Sequence, residues 1–143
     1  GFNYTTTSGK AEMGEEIESI QKIDLTDLSI SETYTSDYLK NLIFPEYLEG
    51  YGSGFLIIGG LDISTKTPSD KIIYFNPSET DNNKKFTVIY NLKRGRFGHK
   101  VYKDQEGRIW IIGGLVLNEF DQFVLTGTIE IITPKDFIPE PKK

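Results

Sequence analysis

Phe55-Leu56-Ile57-Ile58-Gly59-Gly60 and Ile109-Trp110-Ile111-Ile112-Gly113-Gly114 are two copies of one pattern, four apolar residues closed by a double glycine. They stand 54 residues apart, and the sixteen residues Pro45 to Gly60 align without a gap over His99 to Gly114. The small turn Gly52-Ser53-Gly54 falls over Glu106-Gly107. A chance apolar run would not bring its neighbours along, so each copy predicts a hairpin feeding a buried strand.

The similarity extends outward. After each double glycine come a loop and a further strand closed by a polar residue and proline, Lys71 to Pro77 and Thr128 to Pro134. Ile17 to Thr26 superposes on those strands, and Gly1-Phe2-Asn3-Tyr4 matches Gly60-Leu61-Asp62-Ile63, as though the chain began within an earlier copy. A last strand follows as Phe86 to Tyr90, weaker as Ser29 to Tyr34, and fading at Asp136 to Pro139. The expected organisation is all-β, with four antiparallel strands per roughly 50 residues: a partial unit over 1–44, a full unit over 45–90, and a unit over 91–143 whose last strand is weak.

Composition agrees. Eight Tyr, nine Phe and fourteen Gly favour aromatic-packed strands and tight turns over long helices. A net charge of −5 gives no general attraction for phosphate backbones or anionic lipid, which argues against nucleic acid as a partner. With no cysteine, neither a disulfide framework nor a thiolate metal site is available. That suits a reducing compartment and tilts the expectation towards the cytoplasm, with a secreted or cell-surface location open. No stretch approaches the roughly 20 apolar residues of a membrane span, and Asn3-Tyr4-Thr5 is a formal glycosylation sequon.

Three features together resemble the Kelch-repeat β-propeller family. They are the double-glycine strand Ile57-Ile58-Gly59-Gly60, the corner Tyr74-Phe75-Asn76-Pro77, and the entry segment Arg96-Phe97-Gly98-His99. The resemblance covers nearly the whole chain and is strongest from Gly54 to Gly114. It departs where Phe86 stands for the family's outer-strand Trp and where Pro45 occupies the position of His99 in the next copy. It implies a propeller segment of four-stranded blades, fewer than the roughly four to eight that close a ring. The remaining blades would come from a longer parent chain or from another chain.

Chemistry is sparse. His99 is the single histidine, too few for a metal cluster, and its expected task is hydrogen bonding at the entry to a strand. Gly50 to Gly54 reads as a structural turn, not a phosphate cradle, and the acidic run Glu12 to Glu18 lacks the order of a calcium loop. No cofactor is expected from these residues. Some Kelch-like propellers are copper oxidases that use His and a Cys-linked Tyr; with one His and no Cys, such a site would need blades outside this chain.

The expected function is therefore a protein-interaction or scaffold module, and this count of groups alone does not point to an enzyme. Strand alternation places the loops 2–15, 61–70 and 115–126 on one rim with 36–46 and 91–98. The candidate contacts there are Tyr4, Tyr38, Phe120, Phe123, Arg94 and Arg96, since aromatics and arginine dominate interface hot spots. Lys93, Lys84, Lys85 and Lys100 add charge for an acidic partner, or are solvated loop charge. Replacing Arg94 and Arg96 together is expected to weaken capture without unfolding. Two alternatives stay open: a propeller enzyme whose site is completed outside this chain, and a cell-surface structural propeller, glycosylated at Asn3.

Overall fold

The apolar runs become strands because β-branched and aromatic residues pack well on a pleated surface, and the glycines and prolines between them turn the chain. In the computed structural model, which describes residues 2–10, 16–24, 26–27 and 29–137, the chain divides into two units, 1–43 and 44–143.

In the first unit, β1 (Phe2–Lys10) and β2 (Glu16–Asp24) form a nine-residue antiparallel hairpin, in register from Phe2 opposite Asp24 to Lys10 opposite Glu16. β3 (Ile30–Tyr34) continues the sheet beside β2, with a register shift between Lys22 and Ile23, and β4 (Leu42–Ile43) follows. Ile20, Tyr34, Leu39 and Leu42 are buried. The expected loop over 2–15 is corrected here: Asn3 and Tyr4 lie in β1, opposite Ile23 and Lys22. Their side chains lie outside the described residues, as do residues 12–15 of the acidic run.

The second unit runs β5 (Glu46–Tyr51), β6 (Gly54–Ile58), β7 (Leu61–Asp62), β8 (Thr67–Pro68), β9 (Lys71–Phe75) and β10 (Phe86–Asn91). It continues through β11 (Lys100–Lys103), β12 (Ile109–Ile112), β13 (Leu115–Leu117), β14 (Phe123–Leu125) and β15 (Ile129–Ile132). One sheet has the order β10-β9-β6-β5 and the next β11-β12-β15; β7–β8 and β13–β14 are small hairpins hanging from their ends. Among the described residues these strands pair antiparallel, and no sheet closes on itself.

Because side chains alternate along a strand, each sheet offers two faces. Leu56, Ile58, Ile72 and Tyr74 from the four-stranded sheet meet Ile109, Ile111 and Ile132 from the three-stranded one, all at most 7% exposed. Phe137 closes the edge of this layer against Tyr51 and Tyr90, edge-to-face at 6.1 Å from each, and the Tyr51 hydroxyl donates to the Gly107 carbonyl. On the other face, Tyr47, Phe55, Phe75 and Phe86 form an aromatic row across the four strands. A fourth strand near Asp136 was expected. The described chain instead makes a 3-10 turn at Pro134–Asp136 and buries Phe137, and Ile138 onward lies outside the described residues.

Candidate partner-binding rim

Residues 92–99 lace the second unit together. The Leu92 and Arg96 amides donate to the carbonyls of Asp70 and Ser69, and Gly60 donates to the Arg96 carbonyl. Phe97 then exchanges two backbone hydrogen bonds with Leu115. The segment thus joins the end of one repeat to the end of the next, and it runs so close that glycine is required beneath it. At Gly59, with φ +66, an added Cβ would lie 2.6 Å from both the Arg96 carbonyl oxygen and His99 Cε1. At Gly114, with φ +95, it would lie 2.7 Å from the Phe97 oxygen. The double glycine is therefore the floor over which the Arg-x-x-His segment passes.

His99 does not do what its sequence position suggested. It is buried on this floor, and neither ring nitrogen has a hydrogen-bond partner. Burial lowers its pKa from 6.5 to about 4; the Ile58 carbonyl pulls the other way but is not in hydrogen-bonding geometry, and Arg96 and Lys100 lower it further. The ring is held neutral as an apolar wedge. A histidine whose folded pKa is depressed stabilises the fold fully above its unfolded pKa, and that contribution is lost as pH falls towards the folded one. Stability should therefore drop by about 3 kcal/mol between pH 6.5 and 4 on account of this residue. Urea unfolding of the wild type and of His99→Leu across that range checks this: the slope should largely vanish in the variant, and a persisting slope would place the titrating group elsewhere.

Arg96 is also corrected. It is only 2% exposed, and its guanidinium donates to the carbonyls of Gly113 and Thr128 and to the Thr128 hydroxyl. Burial lowers its pKa from the usual arginine value, but the charge survives, supported by Glu130. It is a brace within the unit, not a rim contact. Arg94 is exposed and donates to the Leu117 carbonyl on the β13–β14 hairpin. Lys85 is engaged too, donating to the carbonyls of Pro77 and Glu79.

Sequence reasoning missed Glu130, which is buried and accepts from the Tyr90 hydroxyl at 3.1 Å and the Lys93 amide at 2.8 Å. The one available signal was alternation, which puts it on the face of Ile132. Asp104 was missed as well. It accepts from the Glu106 and Arg108 amides, the Arg108 Nε and the Trp110 indole. The Trp110 bond above all, then those from Arg108, hold its carboxyl down to about 2.

What remains on the rim is the β13–β14 hairpin. Phe120 is 73% exposed in its turn, and Phe123 is 43% exposed, edge-to-face on Phe97 at 5.2 Å. The turn is built by Asn118, whose side chain accepts from the amides of Phe120 and Gln122. Asp121 takes the left-handed conformation there, with φ +57. Arg94 reaches this hairpin, so Arg94, Phe120 and Phe123 belong to one structural neighbourhood. Tyr38, 44% exposed, belongs to the first unit.

No protein-family model matches this sequence, and no curated protein matches it. Among solved structures, a fungal alcohol oxidase, described as novel, with catalytic diversity among the AA5 family, and in complex with copper, overlays 94% of this chain. The TM-score is 0.61 and the identity 18%. At that identity the likeness shows an all-β fold of the β-propeller-like kind and nothing of the chemistry. This chain spans about a quarter of that structure, 26% of its length. The described residues do not fit a copper site: they hold no group of three His, Cys, Asp or Glu side chains able to share a metal, and His99 is sealed against Gly59.

Proposed function

We propose that this chain is a segment of a Kelch-type β-propeller that binds a protein partner through the tip of the β13–β14 hairpin. The observation that carries this is the pair of exposed aromatics, Phe120 and Phe123. Ser69 donates to Gly60 as Thr126 donates to Gly114, so the two hairpins can be compared position by position. The first closes nine residues after its glycine and the second twelve, and Phe123 occupies the place of the exposed Lys66. Repeat packing therefore asks for no aromatic here. Large apolar side chains held in solvent beside an arginine are what hot spots are made of. The 54-residue period, the double glycines beneath an Arg-x-x-His segment and the β-propeller-like fold support the Kelch reading.

A photo-crosslinking side chain placed at position 120, with position 84 on the far turn as control, tests it. One discrete adduct from position 120, lost when Phe123→Ser and Arg94→Ala are combined, is expected. Equal adducts from both positions, or an adduct indifferent to that pair, would contradict it.

A second reading, a segment of a propeller enzyme completed outside this chain, is favoured by the likeness to the copper-bound oxidase. The rest of the parent sequence separates the two: His, Tyr and acidic residues clustered on the same rim would favour the enzyme, and a rim without them the binding module.

A further inference from the structure

His99 is 1% exposed, and both of its ring nitrogens lack a hydrogen-bond partner among the described residues. The ring lies on Gly59, where an added Cβ would meet its Cε1 at 2.6 Å, and the His99 Cβ lies on Gly114, where the same addition would meet it at 2.9 Å. One histidine thus sits between two glycine pairs. Neither pair brings a titratable group to it: β6 offers the Ile58 carbonyl, out of hydrogen-bonding geometry, and the β12–β13 turn offers glycine backbone. On its own segment the charges acting on the ring are Arg96 and Lys100, both cationic. Glu130, the carboxylate that faces Arg96, is engaged by the Tyr90 hydroxyl and the Lys93 amide. A neutral imidazole fits this place; an imidazolium, with two N–H donors and a charge, finds neither acceptor nor counterion there.

The stretch that this ring holds down is short. Before it, Arg96 is anchored by its backbone to Ser69 and Gly60 and by its guanidinium to Gly113 and Thr128. After it, Lys100 begins β11, which is paired along its length with β12. Between these anchors, Phe97 is tied to the β13–β14 hairpin by two backbone hydrogen bonds with Leu115, 3.2 and 2.8 Å long. Gly98, with φ +67, has nothing within 4 Å of where a side chain would start, so the chain can swivel there without a clash. The same bridge supports the hairpin: Leu115 is the first residue of β13, and Phe123 stands edge-to-face on Phe97 at 5.2 Å. Lifting residues 97–99 therefore breaks two backbone bonds and takes the support from the hairpin, and it leaves the β6–β9 ladder whole.

We propose that residues 97–99 form an acid-sensitive latch: a proton taken up from solvent by the His99 ring lifts them off the glycine floor, frees the β13–β14 hairpin from Phe97, and so weakens partner capture at the hairpin tip. This rests on the reading of that tip as the partner site and adds its regulation. The sign follows from the closed state, which binds the proton poorly. With the pKa lowered from 6.5 to about 4, the latch is fully favoured above 6.5 and gives way as pH falls towards 4. Between pH 7 and 4 the ratio of open to closed latch rises about a hundredfold. Arg96 keeps its bonds in both states, so the opening is confined and reverses when the proton leaves. A partner that needs Phe120 and Phe123 held in place loses affinity in proportion to the fraction of closed latch.

Native-state hydrogen exchange of the full chain, over a series of pH values and in low urea, tests the latch. The Leu115 amide, bonded to the Phe97 carbonyl, should lose about a hundredfold in protection between pH 7 and 4, through an opening that low urea does not promote. The Gly60 amide, bonded to Arg96, should be better protected at each pH and should respond to urea as global unfolding does. In His99→Leu, or in His99→Met should leucine not fit the floor, the protection of Leu115 should no longer depend on pH. One urea dependence shared by Leu115 and Gly60, or an equal acid loss in the variant, would overturn the proposal. The crosslinked adduct from position 120, followed over the same pH range, reads the consequence: it should fade in acid with the wild type and persist with the variant. An adduct that survives acid while Leu115 opens, or that fades equally in the variant, would overturn the regulation. No adduct at any pH, with Leu115 opening as stated, would sink the reading of the rim and leave the latch standing.

Discussion

Gly59→Ala is expected to destabilise the chain by about 3 kcal/mol or more, and Gly113→Ala by only about 1–2 kcal/mol. Both glycines share the left-handed conformation, so both substitutions carry the penalty of placing an L side chain there. They differ in what the new methyl meets. At Gly59 it is backbone and a buried ring at 2.6 Å, neither of which is the yielding end of a flexible side chain; at Gly113 it is ordinary contact. Urea unfolding of the two variants measures the difference directly. Equal losses would mean that the 92–99 segment does not press on the first glycine pair as described.

Arg96→Met should cost about 3 kcal/mol, while Arg94→Met stays within about 1 kcal/mol. Methionine fills much of the arginine volume but removes a donor from the Gly113 carbonyl and one of the two donors of the Thr128 carbonyl, which keeps the Gly113 amide, and it leaves Glu130 without the charge that faces it. Arg94 is solvated and surrenders one hydrogen bond to Leu117, which water replaces. The two arginines, two residues apart in a basic run, are thus separable by a melting curve. If both variants melt like the wild type, Arg96 is not a brace and returns to the rim.

That pair also shows where the sequence stops being legible. The strands could be read because the repeat places β-branched runs and glycine pairs at one period, and periodicity survives without knowledge of any contact. Strand alternation was silent about which face would be covered. Ile129 and Ile131 look like the inside of β15, yet Glu130 and Ile132 face the neighbouring sheet. Arginine near glycine suggests a solvated loop, because charged residues are usually exposed. Here the Gly113 carbonyl at the double-glycine turn and the Thr128 carbonyl before β15 lie together, and the fork of Arg96 reaches both. The place of His99 at the entry to a strand suggests a hydrogen bond; on the crowded floor at Gly59 its ring has no partner among the described residues. Phe120 and Phe123, singled out as aromatics in a predicted connection, are exposed. The loop expected over 2–15 was misplaced because the likeness of Gly1 to Tyr4 to the residues after a double glycine hid a nine-residue strand.

Residue-resolved hydrogen exchange of the native chain tests the central claim, that the 92–99 segment laces one repeat end shut while the equivalent amide of its successor has no partner among the described residues. Gly60 and Gly114 are equivalent positions, so local sequence effects nearly cancel. Bonded to Arg96, the Gly60 amide should exchange only with the opening of the second unit, and the Gly114 amide should exchange orders of magnitude faster. Comparable protection at the two amides would contradict the account, for it would mean that the Gly114 amide is paired as the Gly60 amide is.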